Sequence, residues 1–417
     1  MSADELAQVG VPADRPVTSS AGADEVRRQP AWHLGNLLSR LGSTLPILIG
    51  LGLVWGIFGA TNSVFLSSAN LSNLAIESVA VGTIATGIVF VLLVAQIDLS
   101  VGSMSGVASS LLGVGLTEWG LPLGVAIAIA LLASVGVGLV YGIVFVRFNV
   151  PSFVITLAGL LALLGFQLWL IGSTGTINIP FGSWIVRFMQ QMYLPHPVAY
   201  ALAGLAAAGF AASGLARIRR RRKAELPSGS VAPRLLTSGL LLVGLEAATW
   251  YLNRANGVSY AFAFFIALVV AANVVLKRTR WGRYLYAVGA SPEAARRAGI
   301  NVDLVFMSAF VVCSVMAALG GLLAAGRLAA ASISSGTGDV NLNAIAAAVI
   351  GGTSLFGGRG HAYSALLGIL VIQSISNGLT LLALSSPARF MITGGVLLVA
   401  VIVDSVSHRS RVAHGRA

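Results

Sequence analysis

Residues able to do chemistry are few in this chain, and they lie far apart. Glu77, Asp98 and Glu246 are carboxylates set within or beside apolar runs. A charge at the bilayer centre costs about 2.5–3.5 kcal/mol on insertion scales, so each marks a placed function or a position near a membrane edge. Glu77 has Asn73 four residues before it, on one face of a helix. Asp98 stands in the stretch QIDLSVGS, Gln96 to Ser103, and has two readings. It can cap the next helix by bonding the free N–H groups near Ser100 and Val101, or it can border, with Gln96, a polar path for a neutral hydroxylated solute. The five histidines, His33, His196, His361, His408 and His414, are scattered, and none pairs at metal-ligand spacing, so no metal site is expected. The single cysteine, Cys313, excludes a disulfide framework within the chain. No nucleophile has a base beside it, so no catalytic residue is assigned and a membrane enzyme is the least favoured class. The Gly-rich run IGGTSLFGG lacks the Gly-Lys-Ser/Thr of a phosphate loop, and the only lysines, Lys223 and Lys277, do not follow a glycine.

What must position these groups is dictated by composition. Of 417 residues 56% are hydrophobic and only 10% charged, with a mean hydropathy of +0.88. Soluble domains carry about 25% charged residues, so this chain lacks the polar groups to cover a surface in water. Its solvent is largely the lipid bilayer, and the expected fold is all-α, a polytopic helical membrane protein. The net charge of +12 would suggest nucleic-acid binding in a soluble protein. Here the basic residues fill short gaps between apolar runs without interleaved aromatics, so no nucleic acid is expected as a partner.

Apolar runs fall at about 45–60, 74–95, 99–116, 121–146, 153–172, 198–215, 235–252, 258–276, 304–326, 342–356, 361–383 and 388–404. They predict ten to twelve membrane segments, some discontinuous, in a transmembrane domain over 45–405. Residues 1–44 form a polar tail with Asp4, Glu5, Asp14, Asp24 and Glu25, expected to be cytoplasmic and disordered, and 406–417 a basic cytoplasmic tail. With twelve crossings, four basic clusters share one side: Arg27, Arg28 and Arg40; the run RIRRRRK from Arg217 to Lys223; Lys277 to Arg297; and Arg409 with Arg411. The positive-inside rule assigns that side, and both termini, to the cytoplasm. Arg187, Arg254, Arg327 and Arg389 fall outside this pattern.

Two segments depart from simple spans. Residues 342–358, LNAIAAAVIGGTSLFGG, hold about fourteen apolar residues with the glycines included, too few for a comfortable crossing. They read either as a broken or re-entrant segment walling a pathway, with Thr353 and Ser354 beside it, or as a short helix with a Gly-rich turn. The loop 277–303 contains a short helix start: Ser291 as cap, Pro292 in the first turn, Glu293 near the positive end, and Gly299 after Arg296 and Arg297 to stop it. Such a helix either docks a soluble partner or lies at the headgroups.

Four passages resemble one family: AQIDLSVGSM (95–104), VPSFVITLAG (150–159), GRYLYAVGASPEAARRAGINV (282–302) and IAAAVIGGTSLFGG (345–358). They are similar to the inner-membrane permease subunits of ABC-type sugar importers, the ribose and xylose group. The apparent extra pair of spans, about 198–252, is similar to the D-xylose type. The loop also resembles the importer coupling signature at Glu293, Ala294, Ala295 and Gly299, although the signature's later Ile-x-Leu-Pro portion is absent. The resemblance implies a multi-pass protein of the bacterial plasma membrane that works as a homodimer, two permease copies forming the pathway. It implies an extracytoplasmic sugar-binding protein that delivers a monosaccharide, most simply a pentose. A cytoplasmic tandem-domain ABC ATPase would dock on Glu293–Gly299, Arg296 and Arg297 included, so that ATP is bound by the partner and the permease itself carries no cofactor. A neutral cargo implies a path lined by amides and hydroxyls, for which Asn73, Gln96, Gln167, Asn343 and Asn377 are candidates beside Glu77, Asp98, Thr353 and Ser354. The alternative reading is a stand-alone secondary transporter or channel using Glu77, Asp98 or Glu246 as ion or proton relays.

Overall fold

The computed structural model describes residues 45–226, 230–395 and 398. The polar tail 1–44, most of 396–405 and the basic tail 406–417 lie outside the described residues. The apolar runs become helices: α1 (Leu45–Thr61), α2 (Ser68–Leu93), α3 (Val101–Thr117), α4 (Leu123–Phe148) and α5 (Ser152–Ile171), then after a short loop the small α6 (Trp184–Gln190). There follow α7 (His196–Lys223), α8 (Ala232–Leu252), α9 (Tyr260–Arg278), α10 (Arg280–Ala290), α11 (Pro292–Arg297), α12 (Val302–Leu328), α13 (Val340–Ile350) and α14 (Tyr363–Leu381). Residues 386–395 are helical as well. Among the described residues eight helices are long and apolar enough to cross a bilayer, and α1, α3 and α13 are shorter apolar helices. Among the described residues one antiparallel ladder forms, β1 (Thr176–Asn178) on β2 (Ala330–Ser332), with Ile177 opposite Ala331, besides an isolated bridge between Tyr193 and Ser259.

Two helices form the centre. Nearly nine-tenths of the apolar window of α2 is buried inside the protein, and α12 packs along it with α3 and α4 on its other sides. Lipid-exposed helices have no hydrophobic force between them, so association depends on close backbone approach at small residues. The buried face of α4 is such a stripe, with Ala126, Ala130, Ser134, Gly138 and Gly142 at four-residue intervals. A Cβ on Gly138 would stand 2.5 Å from the Val311 Cα of α12, and one on Gly142 2.6 Å from the Met307 Cα. By contrast α7 and α8 pack on each other at the periphery and expose Leu202, Leu205, Leu240 and Val243.

One end of the molecule gathers the positive charge, and is called the basic end. Arg220, Arg221, Arg222 and Lys223 fill the last turn of α7, and Lys277 and Arg278 that of α9, where cations complement the negative helix terminus. Arg278 borders the same cleft as Arg217 and Arg221. The β1–β2 ladder follows the far ends of α5 and α12 and marks the opposite end.

Two of the crossings are broken, and the breaks meet. After β2 the chain descends irregularly along α3: a Cβ on Gly102 would clash with the Gly336 carbonyl, and Asn341 Nδ2 donates to the Leu99 carbonyl at 2.7 Å. Only then does α13 form. Its eleven residues cover about 16 Å, roughly half of a hydrocarbon core. A Gly-rich turn follows at the basic end, where the Gly358 N–H donates to the Leu93 carbonyl at 2.9 Å. Residues 342–358 are therefore a short helix plus a Gly-rich turn, the basic-end half of a discontinuous crossing. The second break is 94–100, between α2 and α3, with Ala95 in the left-handed region at φ 57°.

Candidate functional site: a polar cluster, two breaks and an exposed loop helix

Nine residues into α2, about 14 Å from its start, Glu77 is the hub of a polar cluster. Its Oε1 accepts from Arg327 Nη2 at 2.6 Å, and its Oε2 from Gln373 Nε2 at 2.9 Å. Three central helices, α2, α12 and α14, are joined at this carboxylate. Arg327 comes from the last turn of α12, and Gln190 of α6 donates to its carbonyl at 2.8 Å. Both side chains stay partly open, the Arg327 side chain at 37% and Glu77 at 22%. An ion pair that keeps such access faces a polar space, a partner or the membrane interface, since open lipid would solvate neither charge. Asn73 lies one turn earlier on the same face of α2 and is exposed.

A second rung lies toward the opposite end. Asn70 Nδ2 donates to Asn377 Oδ1 at 2.8 Å, and Asn377 Nδ2 returns a bond to Asn70 Oδ1 at 3.2 Å. Nearby, a cavity of about 190 Å³ is lined by Asp339, Ser376, Ser386, Arg389, Phe390 and Thr393. Asp339 Oδ2 accepts from Asn343 Nδ2 at 2.8 Å, and Arg389 donates to Thr380 Oγ1 at 3.0 Å. Carboxylate, guanidinium, hydroxyls and a phenyl ring around one space are the groups that hydrogen-bond and stack a polyol.

Asn73, Glu77, Asn343 and Asn377 thus gather toward the opposite end, while the other candidates sit elsewhere. Asp98 is buried at the α2–α3 break, where its Oδ1 accepts the Ser100 N–H at 2.8 Å and the Ser100 hydroxyl at 2.7 Å. The helix cap position belongs to Ser100 and not to Asp98, so the carboxylate closes an Asx turn ahead of the helix. Gln167 of α5 is fully buried. Its amide donates to the Ser332 carbonyl at 3.0 Å and the Ser335 carbonyl at 2.8 Å, meeting the need that unpaired backbone inside a bilayer creates. Gln96 is half-buried in the turn after α2. Thr353 and Ser354 are buried in the Gly-rich turn, where Ser354 Oγ accepts the Phe356 N–H at 3.2 Å. Glu246 lies on peripheral α8.

Arg327, Gln373, Asp339 and Arg389 are the residues sequence reasoning missed. Arg327 and Arg389 stood out only as charges outside the positive-inside pattern. That misfit was the available signal, since a cation on the wrong side needs a local partner.

The loop helix has the expected anatomy. Ser291 caps α11 by accepting the Ala294 N–H at 3.2 Å, and Gly299 ends it at φ 80°. Glu293, Ala294, Arg296, Arg297 and Gly299 are exposed, and Ala295 alone is buried, 4% accessible, against the core. One anchored methyl thus holds a helix whose other faces are free, apart from an exposed Arg296–Asp303 contact of 3.4 Å.

Interrupted crossings in a tightly packed helical core, with a partly open ion pair beside them, define a class: a polytopic membrane permease. Residues 70–402 match the family of permease components of branched-chain amino acid transport systems, and the chain belongs to that family. Among curated proteins it is similar to the xylose transport system permease proteins of Haemophilus influenzae, 34% identical over 86% of this chain and 95% of that one, and of Escherichia coli K12, 34% identical over 84% and 88%. The ribose import permease protein of Escherichia coli K12 is 30% identical over 86% of this chain and 92% of its own. No solved structure matches it.

Proposed function

We propose that this protein is the membrane-spanning subunit of an ATP-driven importer for a monosaccharide, a pentose such as D-xylose, in a bacterial inner membrane. The similarity to xylose and ribose permeases over most of both chains supports the sugar. The observation that carries the mechanism is α11, a capped helix held by Ala295 with Glu293, Arg296 and Arg297 facing outward. A cytoplasmic tandem-domain ATPase docks there, which sets the basic end and both termini in the cytoplasm. An extracytoplasmic binding protein delivers the sugar at the opposite end, and a second permease copy completes the pathway.

In this reading Asn73, Glu77, Asn343 and Asn377, joined by Arg327, Gln373, Asp339 and Arg389, form the outward part of the path. Asp98, Gln96, Gln167, Thr353 and Ser354 hold the broken segments whose rearrangement opens it inward. Two states a few kcal/mol apart suffice, because each partner need only bind one of them better.

Liposomes carrying permease, ATPase and binding protein test the docking role. Glu293→Lys reverses a charge at the centre of the contact, and losing a hot-spot contact of about 2 kcal/mol weakens association roughly 30-fold. ATP-driven pentose uptake is expected to collapse while the thermal unfolding of the purified permease stays at the parental value. Parental uptake by the variant overturns the docking role.

A further inference from the structure

The basic end holds a feature that sugar transport leaves unused. A cleft of about 640 Å³ is lined by Arg217, Arg220 and Arg221 of α7 and Arg278 of α9, with Ser213, Ala216 and Leu226 beside them. All four arginines are exposed. Among the described residues none of these four arginines has a carboxylate in ion-pair contact. Like charges converging on one concavity from two helices repel each other unless a counter-charge sits between them.

Helix length places the cleft. The 28 residues of α7 span about 42 Å, some 12 Å more than a typical hydrocarbon core. The excess is two turns, the length of Ala216 to Lys223, so these arginines stand at headgroup depth and not out in bulk water. Arg278 is the last residue of α9 and reaches the same level. Ala216 and Leu226 give the cleft apolar walls, which suit the glycerol end of a lipid more than a free ion.

We propose that this cleft binds the phosphates of an anionic phospholipid, preferentially a headgroup carrying two phosphates, and so fastens the peripheral α7–α8 pair to α9 through lipid. Guanidinium forks match phosphate oxygens in pairs, and four of them from two helices exceed what one phosphate can engage. The two-phosphate lipid cardiolipin fits this charge count best.

Native mass spectrometry of the full chain, with cardiolipin, phosphatidylglycerol and phosphatidylcholine as probes, provides the test. Cardiolipin is expected to remain bound longest and phosphatidylcholine to leave first. The Arg217→Gln, Arg221→Gln, Arg278→Gln triple variant is expected to lose cardiolipin affinity by about fivefold per arginine removed, whereas Arg254→Gln, whose guanidinium stacks 5.3 Å from the Trp250 ring, keeps it. Equal retention by parent and triple variant overturns the proposal. So does inorganic pyrophosphate that binds the parent as tightly as the lipid does, which would make the cleft a site for soluble phosphates. Should the triple variant not fold, the parent in nanodiscs decides. Its thermal midpoint is expected to rise with cardiolipin content, and no rise above phosphatidylcholine alone refutes the site.

Discussion

Gln167 illustrates how a buried side chain can hold irregular backbone inside a helical membrane fold. Polar residues inside a bilayer are first suspected of function, and an amide in the middle of an apolar helix reads as a path-lining group. Its position also gives it a structural duty, because its amide donates to the Ser332 carbonyl at the end of β2 and to the Ser335 carbonyl in the irregular stretch that follows. Gln167→Leu leaves the Ser335 carbonyl short of its donor, at a cost of about 1–3 kcal/mol, while the Ser332 carbonyl keeps the Ser335 N–H at 2.9 Å. Gln167→Glu is isosteric but offers oxygens where hydrogens are needed, and is expected to be as harmful. Thermal unfolding of the purified variants checks this: both midpoints should fall, and an unchanged midpoint for Gln167→Leu removes the positioning role. Glu77 is the contrasting case. Its carboxylate is satisfied by Arg327 and Gln373, yet its side chain stays 22% open, as the proposed path requires.

Among the elements, α13 and α14 show what the abundant small residues accomplish. Gly351 lies against the Ser364 backbone and Gly368 against the Ala347 carbonyl, each too close to admit a Cβ. These pairs repeat at four-residue intervals on both helices, an antiparallel small-residue seam. It lets a helix of only eleven residues pack firmly enough to stand in for half a crossing. Gly209 in α7 has nothing within 4 Å of the place a methyl would take, so one substitution should act with opposite signs at the two sites. Gly368→Ala is expected to destabilise by about 1–3 kcal/mol through overpacking, and Gly209→Ala to be neutral or to gain up to about 1 kcal/mol from helix propensity. Unfolding midpoints in one detergent compare them directly, and equal shifts would remove the seam's importance. Glycine count alone could not tell these positions apart, because a seam needs a partner helix and hydropathy does not name one.

For the whole molecule, a central α2 enclosed by α12, α13 and α14, with α7 and α8 outside, suits a machine whose moving parts are internal and whose drive is external. In the proposed reading the energy comes from ATP hydrolysed by the partner subunit. The permease alone in liposomes is therefore expected to move no pentose down its gradient and to ignore an imposed proton gradient, with transport appearing when ATPase, ATP and binding protein are added. Pentose flux through the lone chain would favour the stand-alone transporter instead.

The sequence by itself determined where the chain crosses lipid. Runs at 121–146, 153–172 and 304–326 became α4, α5 and α12 within about two residues at either end, because a crossing is a local demand: some 30 Å of hydrocarbon must be matched by about twenty apolar residues. The loop helix was legible for the same reason, since Ser291, Pro292 and Gly299 act on their own neighbours. The tertiary structure alone decided which polar residues meet. Glu77 finds Arg327 across 250 positions and Gln373 across 296, and Asn341 reaches Leu99 across 242. Hydropathy and capping carry no information about contacts so distant, which exist only once the small-residue seams have set the helices side by side.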